Sequence, residues 1–306
     1  MKWEGQRESD NVEDRRSDGG GASFGGGGGA PLIGGRHIGI GTVVVALLAG
    51  WVFGINPLTV LGLLSGGGGG APAVVQQQPA QVPQGSARGA TANDAPTRFV
   101  KTVLADTEDV WQQVFQAAGK TYRAPVLVLF RGRTTTACGR GEQAMGPFYC
   151  PGDSKVYIDL AFYETLRTQL GSPGDFAQAY VIAHEVGHHV QHLLGITDKV
   201  DAQRSRLSEV QANALSVKVE LQADCLSGVW AHHSQQSKGW LEQGDLEEAL
   251  NAAAHIGDDA LQRAARGTVV PESFTHGSSA QRVAWFKRGW TSGQITDCNT
   301  FDGRKP

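Results

Sequence analysis

Two histidines four residues apart, His184 and His188, sit inside a run of apolar residues long enough to be a buried helix, with Glu185 directly after the first. No other feature restricts the fold as much. On a helix, residues i and i+4 lie one above the other on one face. Both imidazoles can therefore reach one ion, and tetrahedral zinc takes nitrogen ligands at about 2.0–2.1 Å. Glu185 projects about 100° round the helix, off the ligand line and beside the ion's open position, where a carboxylate can take a proton from zinc-bound water. Phe176, Tyr180, Val181, Val190, Leu193 and Leu194 flank the pair with enough apolar surface for a buried helix. A strip of imidazoles inside such a helix is costly unless it is paired or bound to metal, which argues against two solvated histidines. Asp175 is a candidate N-cap and Gly195 a candidate stop.

The 306 residues suffice for one sizeable core with appendages, and a net charge of −3 argues against nucleic acid as the main partner. The 42 glycines are concentrated in the first part of the chain. Residues 1–37, charged and then glycine-rich, read as a disordered tail, because they hold too little apolar surface to fold. Residues 38–64 carry no charge and include Val43, Val44, Val45, Leu47, Leu48, Trp51, Val52 and Phe53. This run is long enough for one transmembrane helix, ended or kinked at Asn56-Pro57. A buried soluble helix, or a signal peptide cleaved near Ala71-Pro72-Ala73, would read similarly. The run's length and the long segment ahead of it favour the membrane span. Lys2, Arg7, Arg15, Arg16 and Arg36 precede the run and no Lys or Arg follows before Arg88, so the N-terminus is expected in the cytoplasm. The expected localisation is the cell membrane, single-pass, with the C-terminal domain extracytoplasmic, periplasmic or extracellular. Residues 65–94 are a flexible linker rich in Gly, Gln, Pro and Ala.

The folded domain is expected over residues 95–306. Helical spacing marks residues 100–118; apolar or alternating runs mark strands at 125–130 and 155–160. The second of these is expected to be a sheet edge on which an extended substrate could pair. A polar loop between them holds Cys138 and Cys150. Helices follow at 162–170, through the histidine pair, at 205–233, and at 245–256, 260–266 and 279–293. The cysteines Cys138, Cys150, Cys225 and Cys298 have no CxxC spacing, which makes a cysteine-ligated zinc unexpected. They allow three pairings: Cys138–Cys150 would close a short loop and leave Cys225–Cys298, provided the compartment is oxidising.

A catalytic zinc keeps three protein ligands and one open position. His192 stands about 12 Å along the axis from His184, too far to share an ion on a straight helix, and His189 points to another face. Glu220 is the better third ligand, on a second helix whose Ala223, Cys225, Leu226, Val229 and Trp230 look buried. Asp224, one turn on, is placed to accept the free N–H of a zinc histidine and so set its orientation. Solvated helix charges would be the ordinary reading of two such carboxylates.

The pattern His184-Glu185-Val186-Gly187-His188 followed by Glu220-Leu221-Gln222-Ala223-Asp224 resembles the gluzincins, in which the glutamate of ExxxD is the third ligand and the aspartate supports the first histidine. More narrowly, the chain resembles the bacterial putative neutral zinc metallopeptidase family. Residues 9–16 (SDNVEDRR), 144–151 (AMGPFYCP), 184–191, 220–225 and 273–282 carry the likeness, several ordered segments far apart. Membrane gluzincins also carry a histidine followed six residues later by an arginine. His276 and Arg282 match that spacing, with Gly277 in place of the usual proline. The resemblance implies transition-state or structural support from this pair; a capping loop before the last helix, with Arg282 in a salt bridge, would read similarly.

The expected molecule is therefore an α+β, mostly helical zincin-like metallopeptidase domain with a small sheet, preceded by one transmembrane helix. It holds one Zn2+ per chain on His184, His188 and Glu220, with Asp224 behind. Glu185 acts as general base on a peptide or protein substrate, and His276 with Arg282 supports the oxyanion. The alternative is a zinc-bound, non-catalytic scaffold or regulatory protein of the cell envelope, which would not need a glutamate at 185.

Overall fold

The computed structural model describes residues 1–18, 94–142, 146–168 and 171–303. Its sheet is built on two apolar runs. Strand β1 (Val12–Asp14) lies parallel to β2 (Val126–Phe130), and β2 lies parallel to β6 (Lys155–Asp159). Strand β5 (Phe148–Cys150) runs antiparallel to β6, giving the order β1-β2-β6-β5. The polar loop contains a separate hairpin, β3 (Arg133–Thr136) with β4 (Gly139–Glu142). Leu127, Leu129, Val156 and Ile158 face the main core, while Val128, Phe130 and Tyr157 pack a small cluster on the other face. Burial on both faces explains why Val126–Phe130 is continuously apolar, and Val156–Ile158 is buried on both faces as well, where alternation suggested a half-buried strand. The strand order also corrects the expected edge at 156–160: β6 is internal, with β2 and β5 on either side, and the edges are β1 and β5.

The helices are α1 (Ala95–Ala117), α2 (Ala161–Thr168), α3 (Asp175–Leu193), α4 (Ile196–Arg204), α5 (Glu209–Lys238), α6 (Asp245–His255), α7 (Asp258–Arg266) and α8 (Ser279–Ser292). Most expected boundaries hold within a few residues. The expected helix at 205–233 instead begins after Ser208, whose hydroxyl accepts from Gln211 N–H while the Gln211 side chain returns to Ser208 N–H. This reciprocal cap is legible as S-x-x-Q. Asp175 is the first residue of α3 rather than its cap, which is Gly174. Helix α8 lies almost backbone to backbone on α5: a Cβ at Gly289 would stand 1.9 Å from the Cys225 carbonyl oxygen. No larger residue fits that crossing.

Both disulfides form, Cys138–Cys150 tying the hairpin to β5 and Cys225–Cys298 tying α5 to the segment after α8. They realise one of the three possible pairings.

The expected disordered tail at 1–37 is corrected for its first eighteen residues, which belong to the same unit as the residues after 92. Val12–Asp14 pairs with Leu127–Leu129, Trp3 meets Phe99 edge to face at 5.4 Å, and the Met1 side chain is buried. Several of the charges that suggested disorder have partners elsewhere in the chain. Glu13 takes Lys155 at 2.6 Å, Arg7 takes Asp109 at 2.7 Å, and Arg16 takes Asp94 at 3.0 Å. The Met1 ammonium lies 3.1 Å from Asp175 and 3.3 Å from Asp245. Composition reports what a segment can bury by itself; here the partners come from elsewhere in the chain. Residues 19–37, the expected span at 38–64 and the linker up to residue 93 lie outside the described residues. Among the described residues no helix is long and apolar enough to cross a membrane.

Candidate metal centre

Helices α3 and α5 meet at Gly187, where a Cβ would stand 3.0 Å from the Ala223 carbonyl oxygen and 3.2 Å from its Cα. That close contact brings Glu220 to the two histidines. His184 Nε2 is 3.1 Å from Glu220 Oε2, and His188 Nε2 is 3.6 Å from Glu220 Oε1. Ligands of a tetrahedral ion at about 2.0–2.1 Å stand about 3.3 Å from one another, and the two observed spacings bracket that value. Ligand atoms of all three residues lie within 4.8 Å of one another. Two imidazoles and a carboxylate are also a donor set that catalytic zinc uses. The residues present fit zinc.

Glu185 is buried beside this triad. Burial pushes its carboxyl above the ordinary range, against the pull of His188 and His184. A carboxylate held there is a stronger base than one in water. Glu220 is shifted the other way: burial opposes its charge, but His188 and His184 outweigh it and hold the carboxyl well below the usual range. His184 is raised to about 10, burial being outweighed by Asp224 and Glu220.

Behind His184, Asp224 is fully enclosed. His184 Nδ1–H donates to Asp224 Oδ1 at 2.9 Å, which leaves Nε2 facing Glu220. Arg282 donates from Nε to Oδ2 and from Nη2 to Oδ1, both at 2.9 Å, and the Tyr180 hydroxyl donates to Oδ1 as well. Arg282 is 3 % exposed and also reaches the Ile256 carbonyl. Its expected part in supporting an oxyanion is therefore corrected: its guanidinium is spent on Asp224, and it acts on His184 from behind. Tyr180 was missed, although it lies one turn before His184 on the same face.

His276, by contrast, is half-exposed, and it and Glu220 feel each other's charge. Asp258 holds it. Asp258 Oδ2 accepts the backbone N–H groups of Thr275, His276 and Gly277 at 2.7, 2.6 and 3.0 Å, and Oδ1 lies 3.3 Å from His276 Nδ1. Burial would lower the His276 pKa, but Asp258 and Glu220 raise it. Gly277 has φ +89°, a conformation proline cannot take, so the missing proline reflects a different turn. Asp258 was not foreseen, because the turn that brings it to His276 is tertiary.

His189 and His192 stay off the triad, as expected. His189 is buried: Nε2–H donates to the Arg123 carbonyl at 2.6 Å and Nδ1 accepts from the Tyr149 hydroxyl at 3.0 Å, with His192 Nδ1 2.8 Å from the same oxygen. The pair fastens edge strand β5 to α3, and burial takes His189 down to about 4.

A family model described as "putative neutral zinc metallopeptidase" matches residues 1–301. Among individual proteins, the uncharacterized protein YpfJ of Escherichia coli (strain K12) is 52 % identical over 303 residues, 98 % of this chain and 99 % of the relative. The uncharacterized protein Rv2575 of Mycobacterium tuberculosis (strain ATCC 25618 / H37Rv) is 39 % identical over 243 residues, 74 % of this chain and 81 % of the relative. No solved structure matches.

Proposed function

The chain belongs to the putative neutral zinc metallopeptidase family, and from that premise we propose that it is a zinc-dependent peptidase. The observation that carries the reading is the convergence of His184, His188 and Glu220 beside the buried Glu185. Zinc on those ligands supplies a Lewis acid that polarises a carbonyl and acidifies water. Glu185 takes the proton of the attacking water and can return it to the leaving amine. His276, oriented by Asp258, offers an N–H to the carbonyl oxygen as negative charge develops there. Against burial, Asp258 shifts its pKa upward, in the direction of the protonated form. Asp224 fixes the ring of His184, and Arg282 with Tyr180 fixes Asp224.

Elemental analysis of the purified chain, wild type beside Glu220→Ala, tests the reading. About one zinc per wild-type chain and its loss in the variant are expected, together with peptide turnover that a chelator abolishes and zinc restores. A wild type that takes up no zinc at neutral pH, or one whose turnover ignores chelation, would overturn it.

The cellular position is part of the same proposal. Disulfides Cys138–Cys150 and Cys225–Cys298 support an oxidising compartment, and the uncharged run at 38–64 supports contact with a membrane. Pairing of β1 with β2 supports residues 1–18 lying on the same side as the metal centre, against the expected single pass with a cytoplasmic N-terminus, since one crossing between them would part the two strands. Cysteines introduced singly at exposed Asp10 and Gln243 should therefore both react, or both resist, when intact cells meet an impermeant thiol reagent. Opposite labelling would mean that β1 does not join its own chain's sheet.

A further inference from the structure

The two histidines are not supported alike. His184 leans on a charged group, whereas His188 Nδ1–H donates to the side-chain oxygen of Gln191, 2.9 Å away and one turn along α3. The Gln191 amide nitrogen then donates twice, to the Val219 carbonyl at 2.8 Å and to Gln222 Oε1 at 3.0 Å. Gln222 passes the chain on, its nitrogen donating to the Cys298 carbonyl at 2.9 Å. Gln191 and Gln222 are 1 % and 7 % exposed.

The direction of this chain is determined by its end. A backbone carbonyl can only accept, so Cys298 and Val219 both require an NH2 group facing them. That orients Gln222 and Gln191, turns the Gln191 oxygen towards His188, and makes His188 Nδ1 the donor. Nε2 is left for the metal. The terminal carbonyl is itself tethered, because Cys298 is bonded to Cys225 on α5, next to Asp224. Thr300 adds a second attachment, donating to the Lys218 carbonyl at 2.7 Å.

We propose that Gln191 and Gln222 are positioning residues that fix the tautomer and ring orientation of His188, and that the Cys225–Cys298 disulfide anchors this relay by holding the Cys298 carbonyl in place. The proposal rests on the metal-centre reading above and adds to it a dependence of zinc affinity on the segment after α8. Hydrogen-bond partners behind a metal histidine commonly alter affinity by about 10–100-fold when removed.

The test measures the zinc dissociation constant of the full-length chain by competition with a chelator, with thermal unfolding followed in parallel. Gln191→Leu is expected to weaken zinc about 10–100-fold, and Gln222→Leu to weaken it in the same direction by less. Gln235→Leu removes the acceptor of Leu241 N–H, remote from the relay. It should lower the melting temperature without moving the zinc constant, as a purely structural glutamine would. Replacing Cys225 and Cys298 together by Ala should weaken zinc in the wild-type background and add nothing in Gln222→Leu. A folded Gln191→Leu with unchanged zinc affinity would overturn the relay. Additive losses from the disulfide and Gln222 would overturn the anchoring. A wild type that binds no zinc would sink the metal-centre reading itself, and this inference with it.

Discussion

Glu185→Gln is expected to retain zinc at the wild-type level and to lose peptide turnover by about 10²–10⁴-fold, the range over which a positioned general base contributes. The side chain neighbours the ligand set without belonging to it, and its carboxyl is raised by burial. Glutamine keeps the volume, removes the proton acceptor and leaves His184, His188 and Glu220 as they are. Elemental analysis and steady-state turnover on the same preparation check both halves. Zinc retained with turnover intact would remove Glu185 from the mechanism. Zinc lost in Glu185→Gln would mean that the carboxylate belongs to the ligand set.

The largest effect on stability is expected at the pair behind His184. Arg282 and Asp224 are 3 % and 0 % exposed in their side chains. Arg282→Met would leave a buried carboxylate with only the N–H of His184 and the hydroxyl of Tyr180. Breaking a buried ion pair from one side costs about 3–5 kcal/mol, or about 6–20 °C in melting temperature for a domain of this size. The combination Arg282→Met with Asp224→Leu should regain much of that loss, because no charge is then stranded, and should still bind zinc more weakly, because His184 has lost its acceptor. Thermal melts beside zinc titrations separate the two effects. Asp224's pKa is lowered in the fold by Arg282 and His184, against burial. Its contribution is therefore present at neutral pH and fades as the pH falls through the folded value. A single Arg282→Met variant as stable as wild type would show that the pair is not held as described.

Much of the metal centre was legible before any fold was known. His184 and His188 four apart with Glu185 between them report local geometry, whereas Glu220 and Asp224, on another helix, were joined to them with the help of the family resemblance. A helix converts spacing into a shared face, so residues within one element announce their relation. The α+β, mostly helical class of the described domain was legible for a similar reason, since apolar runs of strand or helix length are local signals. Groups joined only by tertiary contact were not. Asp258 reaches His276 through a turn, and Gln222 reaches His188 through Gln191. Arg282 matched a spacing that suggested the open face of the site, yet the α5–α8 crossing at Gly289 carries it behind Asp224.

Residues 1–18 mark the boundary most clearly. By composition they look unable to fold, and by themselves they bury little beyond Met1, Trp3 and Val12. Their charges meet Lys155, Asp94, Glu108, Asp109, Asp175 and Asp245 only once strand β6 and helices α1, α3 and α6 have assembled. From the sequence one could read the histidine pair with its glutamate and, with the family resemblance, Glu220 as candidate metal ligands, and which elements carry them. The tertiary structure decided which side of the centre each supporting residue occupies, and that the first strand of the sheet comes from the beginning of the chain. The physical reason is that spacing along a helix or strand is set by the backbone, whereas a partner far away in sequence is set only by what the packed core brings near.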